Sequence, residues 1–132
     1  MLQSHLISLS IRRPVAEVYD FLAEPRNFPK WAVVVSSGFR QIAPDLWAGE
    51  SPVGERLVKF CPRNNLGVLD HAVYRRGEEP VMMPMRVVPN GADGCELTFL
   101  YYRRPGVTDE EFASGIEWIE SDFRALQSML EI

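Results

Sequence analysis

His71 and Tyr101 are the two side chains with the most to offer chemically. An imidazole titrates near neutrality and can take or give a proton. A phenol can donate a hydrogen bond to a developing oxyanion. Their spacing brings them onto one surface. Leu69, His71 and Val73 form one alternating set, with Val81, Met83, Met85 and Val87, and then Cys95, Leu97, Phe99 and Tyr101. Side chains two apart on a strand share a face, so these three runs form one nearly continuous apolar sheet face interrupted by a histidine and a tyrosine. The opposite set holds Asp70, Tyr74, Arg86, Glu96, Thr98 and Tyr102. Asp70, Arg86 and Glu96 are expected side by side there as a solvated charge ladder. His71 has two readings: a general acid or base paired with Tyr101, or a packed histidine hydrogen-bonded to a neighbour.

A second group of residues lies on the last helix. Gly115 sits at the edge of an apolar stripe, and Trp118 and Asp122 follow on the same flank. One reading has Gly115 leaving room for a ligand, with Trp118 as a wall and Asp122 as a polar contact. The other has Gly115 permitting close approach of helix and sheet, with Trp118 covering the sheet's edge. Met82, Met83 and Met85 are adaptable, polarisable side chains that suit an irregular guest and equally suit an awkward core. Trp31 and Trp47 read as core or cavity-rim packing. Other chemistries find no support. His5 is the only further histidine, Cys61 and Cys95 show no metal-ligand spacing, and no glycine-rich phosphate cradle is present. No cofactor and no metal are expected.

The elements that must position these groups are legible. Ile7, Leu9 and Ile11 alternate with Ser8 and Ser10, the pattern of a half-buried strand. Pro14 suits a first helical position, and Val15, Val18, Tyr19 and Leu22 form an apolar stripe behind it. Pro25 and Pro29 stop that helix and limit the next one to a turn or two. Strands are then expected at Phe39–Ala43, Leu46–Ser51, Glu55–Cys61, Gly67–Arg75, Val81–Val88 and Cys95–Arg103, separated by turns of hairpin length. Thr108 and Glu111 make a capping box, and Val107 and Phe112 a hydrophobic staple. Phe112, Ile116, Ile119, Phe123, Leu126 and Leu130 form one stripe over about five turns, which must pack on the broad apolar face of the sheet.

This order resembles the START-like, helix-grip proteins of the SRPBCC superfamily, which includes the polyketide cyclase/dehydrase group. The resemblance rests on the element order and on Pro-x-x-x-Val-Tyr-x-Phe-Leu at Pro14 to Leu22 and Phe-Pro-x-Trp at Phe28 to Trp31. It implies an α+β fold in which a curved antiparallel sheet of about seven strands (β-α-α-β6-α) wraps a long C-terminal helix, with a cavity between. Residues 1–132 are expected to form one such domain.

Composition bounds the partners. From Asp109 onward there are seven acidic residues and one basic one, a net of −6, and the remainder is +2, for −4 overall. An acidic last helix without a basic stripe argues against nucleic acid. No apolar run approaches the roughly 20 residues of a membrane span, the start lacks a secretory pattern, and two cysteines suit reduced thiols, so a cytoplasmic protein is expected. Three functions remain. The first is binding of a small hydrophobic or amphipathic molecule between sheet and helix, with Trp31, Met83, Met85, Phe99, Gly115, Trp118 and Asp122 as its contacts. The second is a cyclase/dehydrase-like enzyme, since polyketide cyclisation needs a proton removed alpha to a carbonyl and an oxyanion donor, roles that suit His71 and Tyr101. The third is an interaction module with a filled core. Oligomeric state is not encoded in these patterns.

Overall fold

The computed structural model describes residues Met1–Ile132. Its elements run β1 (Ser4–Ile11), α1 (Val15–Ala23), a 3-10 turn (Pro25–Asn27), α2 (Phe28–Trp31), β2 (Ser37–Ala43), β3 (Leu46–Ser51), β4 (Gly54–Phe60), β5 (His71–Tyr74), β6 (Met85–Pro89), β7 (Cys95–Tyr102) and α3 (Asp109–Leu130). All ladders are antiparallel, in the orders β1-β7-β6 and β2-β3-β4-β5. Pro44-Asp45 closes β2 onto β3, and Asp45 adopts a φ of 57°, a conformation that Asp tolerates in tight hairpins.

The two ladders meet between β5 and β6. Pairs at Val68–Arg86 and His71–Met83 stitch them together, with backbone bonds from Leu69 N to Met85 O (2.8 Å) and Met83 N to His71 O (2.8 Å). The strands expected at Gly67–Arg75 and Val81–Val88 therefore shorten to His71–Tyr74 and Met85–Pro89. Pro80 and Pro84 account for part of this, because neither has an N–H to give a ladder. A rearranged bond accounts for more. Leu69 O accepts no backbone bond; instead the Asp70 carboxylate takes the Met85 N–H (2.9 Å) and also pairs with Arg86. Glu96 lies apart from this pair. The register sets Arg86 opposite Thr98 and Val88 opposite Glu96, and the Glu96 carboxylate accepts from Ser10 (2.6 Å) and Asn90 (3.0 Å).

The sheet's two faces separate as the alternation requires. Leu69, Met83, Met85, Val87, Cys95, Leu97 and Phe99 join one large buried cluster with Phe123 and Leu126 of α3 and Phe28 and Trp31 of α2. Ala48, Leu57, Ala72 and Tyr74 form a small cluster on the other side, with Met82 against it. Thr108 caps α3, accepting from Glu111 N (3.1 Å), while the Glu111 carboxylate accepts from Thr108 N (3.2 Å). This fixes where the long helix begins and so which of its residues face the sheet.

Candidate functional site

Between α3 and the sheet lies a cavity of about 230 Å³. Its apolar wall includes Phe28, Trp31, Met83, Met85, Phe99 and Phe123, and its polar lining is His71, Tyr101, Arg56, Arg104 and Asp122. A space of about 20 Å³, room for about one water, lies on the α1 side and is lined by Tyr19, Leu22 and Cys61 among others. Phe28, Trp31, His71 and Met85 border both spaces and form the partition between them.

His71 is buried and held by its own strand. Its Nδ1 lies 3.0 Å from Leu69 O, and because a carbonyl only accepts, Nδ1 carries the proton. The Leu69 carbonyl is free for this role because Asp70 has taken over its bond to Met85 N. Aromatic rings surround the imidazole: Phe99 stacks on it at 5.5 Å, and Phe28 meets it edge-on at 5.6 Å. Burial lowers the His71 pKa, against the smaller pull of the Leu69 bond and the Asp70 charge. The ring is neutral at neutral pH, and its Nε2 lone pair has no partner in the protein.

Tyr101 stands on β7, one row from Phe99, and stacks on Phe112 of α3 at 5.3 Å. Its hydroxyl fits into the notch left by Gly115. A β-carbon at that position would overlap the hydroxyl and lie 2.9 Å from Cζ. The open side of Gly115 is thus filled by a tyrosine of the protein itself, the close-approach geometry. Burial raises the phenol's pKa, and the nearby Arg104 charge partly offsets this. His71 and Tyr101 line one cavity without touching. Met83, paired with His71 on the neighbouring strand, and the stacked Phe99 ring lie between them.

The nine residues expected from the sequence as acid/base groups or ligand contacts all line this cavity: Trp31, His71, Met83, Met85, Phe99, Tyr101, Gly115, Trp118 and Asp122. Trp118 is 59% exposed, so it stands at the rim. Trp47 is buried elsewhere, stacked on Phe39 at 5.1 Å, and Met82 faces the opposite side of the sheet. Trp31 keeps a buried indole N–H without an acceptor. Sequence reasoning missed Arg56 and Arg104. Arg56 alternates with Val58 and Phe60, so extending the facing argument to β4 would have found it. Arg104 follows β7 in a loop, where no alternation applies.

Solved structures share this architecture. An uncharacterised protein from Bacillus thuringiensis matches with a TM-score of 0.78 at 12% identity, over 97% of this chain and 98% of that one. A START superfamily protein from Mycobacterium smegmatis matches with a TM-score of 0.76 at 12% identity, over 97% of each chain. The Aha1 dimer from Colwellia psychrerythraea matches with a TM-score of 0.76 at 12% identity, over 99% of this chain and 98% of that one. No family model and no curated protein sequence matches. The fold is START-like, a helix-grip arrangement of antiparallel strands and a long C-terminal helix.

Asp122 gives the site a pH signature. Burial pushes its carboxyl up to about 6 from an ordinary 3.8, with a contact from the Val33 backbone pulling the other way. The folded chain therefore keeps a proton that the unfolded chain has released between about pH 4 and 6, and stability falls as pH rises through that window. His71 acts oppositely: its lowered pKa removes stability as pH drops below about 6.5. The difference between Asp122→Asn and wild type isolates the first effect. In urea unfolding the variant should be the more stable protein at about pH 8, with the gain shrinking to nothing near pH 4. A difference that does not change with pH would contradict the burial of this carboxylate.

Proposed function

We propose that this START-like chain binds a small hydrophobic or amphipathic molecule in the cavity between the sheet and α3, with residues 1–132 serving as one binding domain. The observation that carries this reading is a space of about 230 Å³ inside an otherwise well-filled core, walled by aromatic and methionine side chains and carrying few polar groups. An engineered apolar cavity of about 150 Å³ admits benzene, so this one suits a guest of roughly two fused rings. Met83 and Met85 can adjust to such a guest at little cost. Trp31 and Phe99 supply flat apolar walls, and the exposed Trp118 stands at the rim. No helix is long and apolar enough to cross a membrane. Both cysteines are free thiols, which suits a reducing, cytoplasmic setting.

A second reading is favoured by one specific feature, the unpartnered Nε2 of a neutral His71 at the cavity wall. A base so placed could remove a proton alpha to a carbonyl of the guest, with the Tyr101 hydroxyl donating to the enolate oxygen. This is the cyclase/dehydrase-like alternative.

Two experiments separate these. Native mass spectrometry of freshly purified protein should show a non-covalent small-molecule adduct that solvent extraction removes and that Ile119→Trp, which fills the cavity, no longer carries. An adduct unaffected by filling, or no adduct even after incubation with naphthalene, would contradict binding at this site. For the enzyme reading, 2-tetralone dissolved in D₂O should gain deuterium alpha to its carbonyl faster with wild-type protein than in buffer. His71→Gln should abolish that excess, roughly a 10²-fold general-base effect or more. Exchange at the buffer rate with wild-type protein would leave binding as the sole activity.

A further inference from the structure

The cavity's polar groups are unevenly distributed, and two of them are weakly paired arginines in a mostly apolar lining. The chain has a net charge of −4, so carboxylates are in excess. Arg13, Arg26, Arg63, Arg76, Arg86 and Arg103 each have one close by. Arg40 reaches Glu55 only at 3.8 Å, Arg12, Arg75 and Arg124 have no ion pair, and the two arginines that line the cavity are likewise weakly paired. Arg56 pairs with no carboxylate, and its one bond runs from Nη1 to Glu55 O at 2.9 Å. Arg104 comes no nearer than 4.0 Å to Glu78, whose carboxylate already accepts from Arg75 N at 2.7 Å.

These cations also crowd one another. Arg56 precedes and Arg75 follows the Leu57–Tyr74 pair that ends the β4–β5 ladder. Burial lowers the Arg56 pKa, and the charges of Arg75 and Arg104 lower it further against Glu78 alone. Like charges on adjacent strands cost stability unless an anion lies between them. The Tyr101 hydroxyl, close enough to Arg104 to feel its charge, is a further donor without a protein acceptor. Asp122, the carboxylate in the lining, stands about 10 Å along α3 from the Gly115–Tyr101 contact. One end of the cavity is therefore cationic and rich in donors, and the rest is apolar.

We infer that the cavity's ligand is an amphiphilic organic anion, its acid group held by Arg56 and Arg104 at the rim and its apolar body enclosed against Met83 and Phe99. The inference rests on the binding reading above and narrows it to a charge class. A carboxylate placed there neutralises a repulsive cluster and receives charge-assisted hydrogen bonds, while the enclosed body supplies the apolar contribution.

The test compares 2-naphthoate with 2-naphthamide, two bodies of one shape that differ in charge, by calorimetric titration of the full 132-residue chain at neutral pH. Naphthoate should bind about tenfold more tightly, an advantage that shrinks with added salt. Arg56→Gln and Arg104→Gln should each cost naphthoate about five- to tenfold and leave naphthamide within about twofold, which also reports that the variants remain folded. Equal wild-type affinities, or equal losses for both probes, would overturn the anion assignment while leaving cavity binding intact. Inorganic phosphate displacing naphthoate at comparable concentration would overturn it too, by showing an anion site indifferent to the apolar body. Failure of both probes to bind would remove the binding reading and this inference together.

Discussion

The contact on which the rest of the site depends is that between Gly115 and Tyr101. Helix α3 must cover the apolar face of the sheet, and two supports set its height. Near its start it rests on the phenol of Tyr101, which occupies the notch a side chain at 115 would fill. Further along it is anchored by Phe123 and Leu126, both in the main buried cluster. Between those supports the helix spans the sheet without touching it everywhere, and the cavity is the space left beneath. A glycine inside a helix costs about 1 kcal/mol relative to alanine. Here that cost lets an aromatic ring stand between helix and strand. The helix cannot settle closer without expelling the ring, and the ring's hydroxyl faces a polar end of the cavity.

The same economy of position governs His71. A single strand serves two faces at once. Asp70, pointing away from the helix, takes the Met85 N–H and pairs with Arg86. That substitution frees the Leu69 carbonyl to hold the imidazole on the opposite face. The buried ring is thereby fixed in one tautomer, with a lone pair left over. The imidazole is thus packed among aromatic rings, hydrogen-bonded through Nδ1, and set in the cavity wall. With Arg56 and Arg104 at one end and Asp122 set apart from them, the cavity has a direction as well as a volume.

Much of this was legible in the sequence because strand alternation has a period of two and does not depend on where a ladder ends. Leu69, His71, Val73 and Met83, Met85, Val87 share a face whether the ladder begins at residue 67 or 71. The helix stripe and its capping box likewise set the rotation of α3. The ladder break at the β5–β6 junction was not legible, because it depends on a side chain replacing a carbonyl, a competition decided by local geometry. Glu96 failed to join Asp70 and Arg86 because the β6–β7 register sets it opposite Val88, where Ser10 and Asn90 take its carboxylate. The partner of Gly115 could not be read either, since the crossing of helix over sheet decides which strand residue lies beneath it. Above all, the sequence carries no measure of space. Whether a set of side chains fills an interior or leaves 230 Å³ open depends on the separation of backbones.

The START-like fold supplies the enclosure, and at 12% identity the matched structures speak to architecture alone. What the enclosure holds depends on the residues of its wall, and the methionines there are built-in reporters. Of the five in the chain, Met83 and Met85 line the cavity, whereas Met1, Met82 and Met129 do not. The most direct measurement is therefore a titration of ¹³C-methyl-methionine-labelled protein with naphthalene, followed by methyl NMR. Binding in the cavity requires the Met83 and Met85 methyl resonances to shift saturably while the other three stay in place. Resonances that all remain fixed, or that drift together without saturation, would contradict the existence of a ligand site between the sheet and α3.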